Sequence, residues 1–182
     1  MGKLVRRLLL AIVFLILLIV GAGWWVLSYV APDQELDLSY QTIDVREKAT
    51  DMVKRLKPEL VLTEADINHL IKMNLSPDIA DHVMVDGANF SLEKDRLIAD
   101  MNVTYRDRIP MAVQAEYRLE WQDPNIALRP QSLKVKDIEL PVDLLDTIIV
   151  PLDLPTGNVV EVKDVRFEAD AIRVLFKLNI SF

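Results

Sequence analysis

Two runs of alternating apolar and polar side chains follow one another in LIADMNVTYRDRIPMAVQAEYRLEW, residues 97–121. A period of two residues predicts β-strands with one apolar and one solvated face, here at 97–105 and 109–121. Asp107 and Arg108 suit a turn, so the two runs predict an antiparallel hairpin. The apolar positions of the second run are Met111, Val113, Ala115, Tyr117, Leu119 and Trp121.

The same alternation extends outward from this hairpin in both directions. Strands are predicted at 83–92, with Gly87 as a bulge, and at 132–138, 159–167 and 172–180. One-sided alternation in several strands predicts a mostly antiparallel sheet. We expect this sheet to be curved, like half of a barrel, with its apolar face covered by helices.

Helical periodicity precedes the strands. An apolar face recurs at helical spacing between Val45 and Leu56 and must end at Pro58. A second helix is predicted to begin after Thr63, whose hydroxyl can form a capping box with Asp66. Short helices are also predicted at 76–78 and within 141–150. The fold class is therefore α+β, with N-terminal helices packed on the sheet.

The N-terminal segment has the composition of a transmembrane helix. Residues 8–30 carry no formal charge, and a helix of that length spans about 34 Å, enough for a hydrocarbon core of about 30 Å. Trp24, Trp25 and Tyr29 lie at its far end, where aromatic rings favour the headgroup layer. The sequence divides into a cytoplasmic tip and anchor at 1–30, a stalk at 31–39 and one domain at 40–182.

Charge sets the expected orientation of this anchor. Lys3, Arg6 and Arg7 precede the helix, and all 28 acidic residues follow it, so the N-terminus is predicted to be cytoplasmic and the domain extracytoplasmic. The alternative is a cleaved signal peptide with an apolar region at 8–20 and a small-residue cleavage site at 21–23. Both interpretations place the domain outside the cytoplasm.

Composition excludes several classes of function. Those three cations leave 18 of the 21 basic residues against 28 acidic ones, a net charge of −10 after the helix. Such a domain repels phosphate backbones, so nucleic acid is not an expected partner. The chain has no Cys, which excludes disulfides, thiolate catalysis and cysteine-ligated metals.

No catalytic or metal site is predicted, and we expect neither enzyme activity nor a cofactor. The only histidines, His69 and His82, are interpreted as ordinary surface or boundary residues. With 28 acids in the chain, pairs like those of glycosidases arise by chance, and the possible calcium ligands lack the spacing and glycine of a calcium-binding loop, so a solvated acidic surface is favoured. The acids concerned are Asp78 with Asp81, Glu116 with Glu120, and Asp95, Asp100, Asp164 and Asp170.

Several short motifs resemble a known family in their order along the chain. LTEADIN at 62–68 precedes a short helix, and the strands that follow lead to IELPV at 138–142 and LP at 154–155. This order resembles the YpmS-like family of small membrane-anchored proteins of Gram-positive bacteria, whose function is unknown. The resemblance implies a single-pass protein of the cell envelope and supplies no catalytic residues.

Two functions remain open from sequence. A curved sheet next to a membrane could hold a lipid or a lipid-linked polymer in an apolar groove, with Tyr105, Tyr117 and Trp121 on its apolar face. The alternative is a scaffold or regulator that docks a membrane or cell-envelope enzyme and has no ligand of its own. In either case the lipid bilayer is the expected partner of the N-terminal helix.

Overall fold

The computed structural model describes residues 2–41, 59–151 and 160–178. Helix α1 runs from Gly2 to Val30 and contains one segment, Leu10–Val30, that is long and apolar enough to cross a membrane, with a mean hydropathy of 2.7. A signal sequence can have the same length and composition, so this apolar helix fits both a transmembrane anchor and a signal sequence. The helix predicted between 45 and 56 lies outside the described residues.

A large antiparallel sheet carries most of the domain. Its strand order is β2–β3–β4–β5–β6–β7, and β8 also pairs with β6, next to β7. The predicted hairpin is confirmed, because Tyr105 pairs with Ile109 and the pairing continues along both strands. The strands are β2 Asp78–Ala80, β3 Val83–Glu93, β4 Arg96–Tyr105, β5 Ile109–Gln122, β6 Asn125–Val135, β7 Ile138–Leu140 and β8 Ile148–Pro151.

A second, smaller sheet packs against the apolar face of the first. It consists of β1 Glu59–Thr63, β9 Val160–Phe167 and β10 Ala171–Leu178, in the order β1–β10–β9. One core contains residues of both sheets and Ile67 of helix α2, Glu64–Asn74. The α+β class and the curved half-barrel sheet are therefore confirmed. The second sheet was not predicted, since β1 pairs with the distant β10.

The start of α2 follows the predicted capping box. The amide of Asp66 donates to the Thr63 hydroxyl, and the Asp66 carboxylate accepts from the Thr63 amide at 2.9 Å. These bonds satisfy amides that have no partner within the helix. LTEADIN at 62–68 therefore ends a strand and begins a helix within a few residues.

Polar side chains of α2 bind the free edge of β3. Glu64 accepts a hydrogen bond from the amide of Leu92 at 2.8 Å, and Asn68 accepts one from the amide of Phe90 at 3.1 Å. Four helical residues rise about 6 Å, close to the rise of two strand residues, so this spacing matches alternate amides. The sheet edge is thereby closed to other strands.

An ion cluster supports the smaller sheet. The Arg173 guanidinium binds Glu168 through two nitrogens, at 2.7 and 3.2 Å, and Glu59 at 3.0 Å. These bonds join β1, β10 and the segment after β9. The hydrogen bonds from Arg173 lower the pKa of Glu168, because they favour its ionised form.

Residues 33–37 cross the outer face of the large sheet, which is the face opposite the core. Three contacts hold this segment: Asp33 to Lys136, the Gln34 carbonyl to the Asn102 side chain at 2.7 Å, and the Asp37 carbonyl to the Ala88 amide at 3.2 Å. Leu38 then packs against the core. The segment predicted as a stalk at 31–39 therefore contacts the domain along much of its length.

Gly87 allows this close approach. The β-bulge predicted there is confirmed by a register shift between Val85 and Gly87. A Cβ atom at Gly87 would overlap the backbone carbonyl of Leu36 and lie 2.8 Å from the amide nitrogen of Asp37. The bulge thus gives the segment after α1 a place to cross the strand.

Two local predictions were wrong, and one predicted strand has different bounds. Residues 76–78 do not form a helix, because the Pro77 carbonyl accepts the Val85 amide and β2 follows in an extended conformation. Residues 141–150 contain one 3-10 turn, Val142–Leu144, and then β8, where β-branched side chains favour pairing with β6. The strand predicted at 132–138 begins earlier, at Asn125, and ends at Val135.

Candidate functional site

The inner, apolar face of the large sheet is only partly buried. Ala115 and Leu119 of β5 are buried, whereas their neighbours on the same face keep an intermediate exposure. The part-exposed residues lie before, between and after these two buried positions and form what we call the apolar track: Met111, Val113, Tyr117 and Trp121. Ten strand residues correspond to about 33 Å.

Neighbouring elements extend the apolar track sideways. Met101 of β4 pairs with Val113, and Leu140 of β7 lies two strands from β5 on the same sheet. Val162 of β9 belongs to the small sheet, which contacts β5. All three residues pack against the core and keep part of their surface exposed. Part of the apolar surface of both sheets is therefore left exposed beside the core.

Two polar groups lie in the half of the apolar track nearer the C-terminal end of β5. The indole N–H of Trp121 is buried and has no hydrogen-bond partner within the part of the chain that the structure describes. Burial raises the pKa of Tyr117, and the charge of Asp146 raises it further. An unpaired buried donor is costly unless something supplies an acceptor. Among the described residues, the buried Trp121 nitrogen is thus a donor without an acceptor.

The outer face carries a different cleft, lined by both polar and apolar residues. Its volume is about 330 Å³, and it lies between residues 33–36 and the sheet. Asp100, Asn102 and Gln114 line it, and the Gln114 amide donates to Asp100 at 2.7 Å. The outer cleft thus offers hydrogen-bonding groups next to the apolar residues Leu36, Met101 and Val113.

The two histidines do not form a site together. His69 lies on α2, where its Nδ1 accepts a hydrogen bond from the Gln41 amide at 3.2 Å. His82 is exposed in the turn between β2 and β3 and has a positive φ of 64°. The contact of His69 is structural, and His82 lies at the surface.

The acidic candidates are distributed over the surface and engaged in separate contacts. Glu116 pairs with Arg96 at 3.1 Å and Glu120 with Arg129 at 2.6 Å, both on the outer face. Asp95 and Asp164 also pair with arginines, and Asp78, Asp81 and Asp170 are exposed. Within the described ranges, no group of three or more His, Asp or Glu side chains is placed to hold a metal ion.

Of the residues named from sequence, Tyr117 and Trp121 lie together on the apolar track, and Tyr105 lies at the end of β4. The sequence did not predict the outer cleft, although a glycine within a strand, here Gly87, can indicate the close approach of another backbone. Comparisons with protein-family models, curated proteins and solved structures find no match for the chain. The resemblance to the YpmS-like family therefore stays a prediction from the quoted motifs.

Proposed function

We propose that this chain is a single-pass, membrane-anchored binding module of the bacterial cell envelope. In this proposal the domain is extracytoplasmic and holds an acyl chain of a lipid or lipid-linked polymer along the apolar track. The observation that carries the proposal is the row of part-exposed residues on one face of β5, Met111 to Trp121. A groove for an acyl chain needs apolar side chains that pack on the core and keep part of their surface accessible, and these residues do both.

The energetics suit a carrier that exchanges its ligand with the bilayer. An acyl chain that leaves the bilayer for an apolar groove moves between two apolar environments, so the hydrophobic term of about 0.8 kcal/mol per CH₂ largely cancels. Net affinity must then come from polar contacts. The Trp121 N–H, which has no partner among the described residues, can supply one by donating to an ester carbonyl of the lipid.

A carboxylate placed in the apolar track tests this function. We expect Val113→Asp to lower the lipid that co-purifies with the full-length protein by about tenfold or more, because a charge in an apolar groove costs well over 1.4 kcal/mol. Native mass spectrometry measures the bound lipid. Gln122→Asp, which adds the same group to the exposed end of the same strand, should leave the bound lipid unchanged.

Thermal unfolding of both variants separates loss of binding from loss of folding. If wild-type protein retains no lipid, or if a folded Val113→Asp variant retains as much as wild type, the groove hypothesis is wrong.

The proposed orientation rests on the basic residues before α1 and the acidic residues after it. Protease added to intact spheroplasts is expected to digest the domain. Complete protection until the membrane is lysed would instead place the domain in the cytoplasm.

One observation favours the alternative, a scaffold that docks an envelope protein. All four residues of β8 are exposed, including Ile148, Ile149 and Val150. Their side chains offer apolar contacts at a sheet edge, which is suited to strand addition by a partner. Cross-linking from position 149 in native membranes that recovers one protein in equal amount would support this function over a lipid carrier.

A further inference from the structure

The turns of the large sheet lie at two opposite ends, because its strands alternate in direction. The turn β4–β5, Arg106–Arg108, and the turn β6–β7, Lys136–Asp137, share one end. Helix α1 meets the sheet at that end: Tyr29 donates a hydrogen bond to Asp137 at 2.6 Å, and α1 packs against β5. This end is therefore next to any membrane that α1 spans.

Five of the seven arginines in the described part of the domain are paired with carboxylates. Arg106 and Arg108 are the exceptions: among the residues that the structure describes, neither has an acidic partner within 4.0 Å. Both are in the same three-residue turn and are exposed. The paired arginines are Arg96, Arg118, Arg129, Arg166 and Arg173.

The turn that carries these two arginines extends past the hydrogen bond between Tyr29 and Asp137. Val135 pairs with Val113, four residues beyond Ile109, where β5 begins. The arginine turn therefore reaches about 13 Å further along β5 than the turn bound by Tyr29. Arg106 also lies over the ring of Tyr105, 5.2 Å from its centre, and tyrosine is a residue favoured at the headgroup layer.

We propose that the turn Arg106–Arg108 is a second membrane contact, which binds the phosphates of anionic lipid headgroups. This inference rests on the proposed function only in requiring that α1 spans a bilayer. Guanidinium groups bind phosphate through paired hydrogen bonds, and an anionic leaflet attracts basic side chains at its surface. The turn keeps a net charge of +1 with Asp107 included, whereas the domain as a whole is acidic and is repelled by such a surface. The contact therefore fixes which end faces the lipid.

A single fluorophore next to the turn tests the contact. The chain has no native cysteine, so His82→Cys introduces the only thiol, and the His82 carbonyl already accepts the Arg106 amide at 2.8 Å. Full-length labelled protein is placed in nanodiscs of phosphatidylglycerol or of phosphatidylcholine. Acrylamide, a neutral quencher, then reports how much of the label is exposed to water.

We expect the quenching constant to be at least about twofold lower in phosphatidylglycerol than in phosphatidylcholine. Arg106→Gln with Arg108→Gln should abolish that difference. Lys94→Gln, which removes an exposed cation from the turn β3–β4 at the opposite end, should preserve it. Equal quenching in both lipids, or an unchanged difference in the double variant, would overturn the proposal.

Two further measurements keep the outcomes distinct. Elution of the protein together with the discs checks separately that α1 inserts into the bilayer. A protein that elutes without discs would refute the membrane anchor and, with it, the proposed contact of the arginine turn. Addition of inorganic phosphate to phosphatidylcholine discs checks the source of the anion. Protection by free phosphate equal to that by phosphatidylglycerol would contradict a site specific to the membrane.

Discussion

Replacing Gly87 by alanine is expected to lower the free energy of unfolding by about 2–4 kcal/mol. The added Cβ would meet backbone atoms of Leu36 and Asp37, which cannot rotate away as a flexible side chain can. The segment after α1 must then leave the sheet, which removes the hydrogen bond between Asp37 and the Ala88 amide and the packing of Leu38. Urea unfolding of the full-length protein in detergent measures the loss.

The matched control is Gly23→Ala, because a Cβ atom at Gly23 meets nothing within 4 Å. Hydrogen exchange gives a second, local readout: the Ala88 amide should lose protection in Gly87→Ala and keep it in the control. A Gly87→Ala protein with wild-type stability and a protected Ala88 amide would show that the segment does not lie where the structure places it.

Removing the acceptors at the edge of β3 is expected to have a comparable effect. In Glu64→Ala with Asn68→Ala, the amides of Leu92 and Phe90 lose their acceptors, at about 1–3 kcal/mol for each amide left unsatisfied. The opened edge can also pair with another strand, so dimers or aggregates should form. Urea unfolding and light scattering after size exclusion measure the two effects.

Asn74→Ala is the control for this pair, since the Asn74 side chain donates only to the Leu70 carbonyl of its own helix. Alanine has the higher helix propensity, so this control should be neutral or slightly stabilising. Glu64→Gln keeps an acceptor oxygen and should retain most of the stability. If Asn74→Ala lowers the free energy of unfolding as much as the double variant does, the edge contacts contribute nothing to stability.

The features predicted correctly from sequence are those with local causes. The hairpin depends on two alternating runs and the short turn between them, and its register follows the pattern of apolar residues. The capping box between Thr63 and Asp66 depends on residues three apart. The bulge at Gly87 also has a local signal, because glycine interrupts an otherwise regular strand.

The features that sequence could not supply depend on distant partners. Glu59 and Arg173 are 114 residues apart and meet only because β1 pairs with β10. The 76–78 segment has a good helix start, but tertiary pairing with β3 overrides that preference. The apolar track was equally hidden, since buried Leu119 and part-exposed Tyr117 occupy equivalent positions in the pattern.

The central claim is that the inner face of β5 holds an acyl chain. A phospholipid with a photoreactive diazirine at the end of its acyl chain, incorporated into membranes that contain the full-length protein, tests it in place. We expect cross-links on Met111, Val113 or Tyr117 in addition to those on α1, when the modified peptides are mapped by mass spectrometry. Cross-links confined to residues 10–30 would contradict the account.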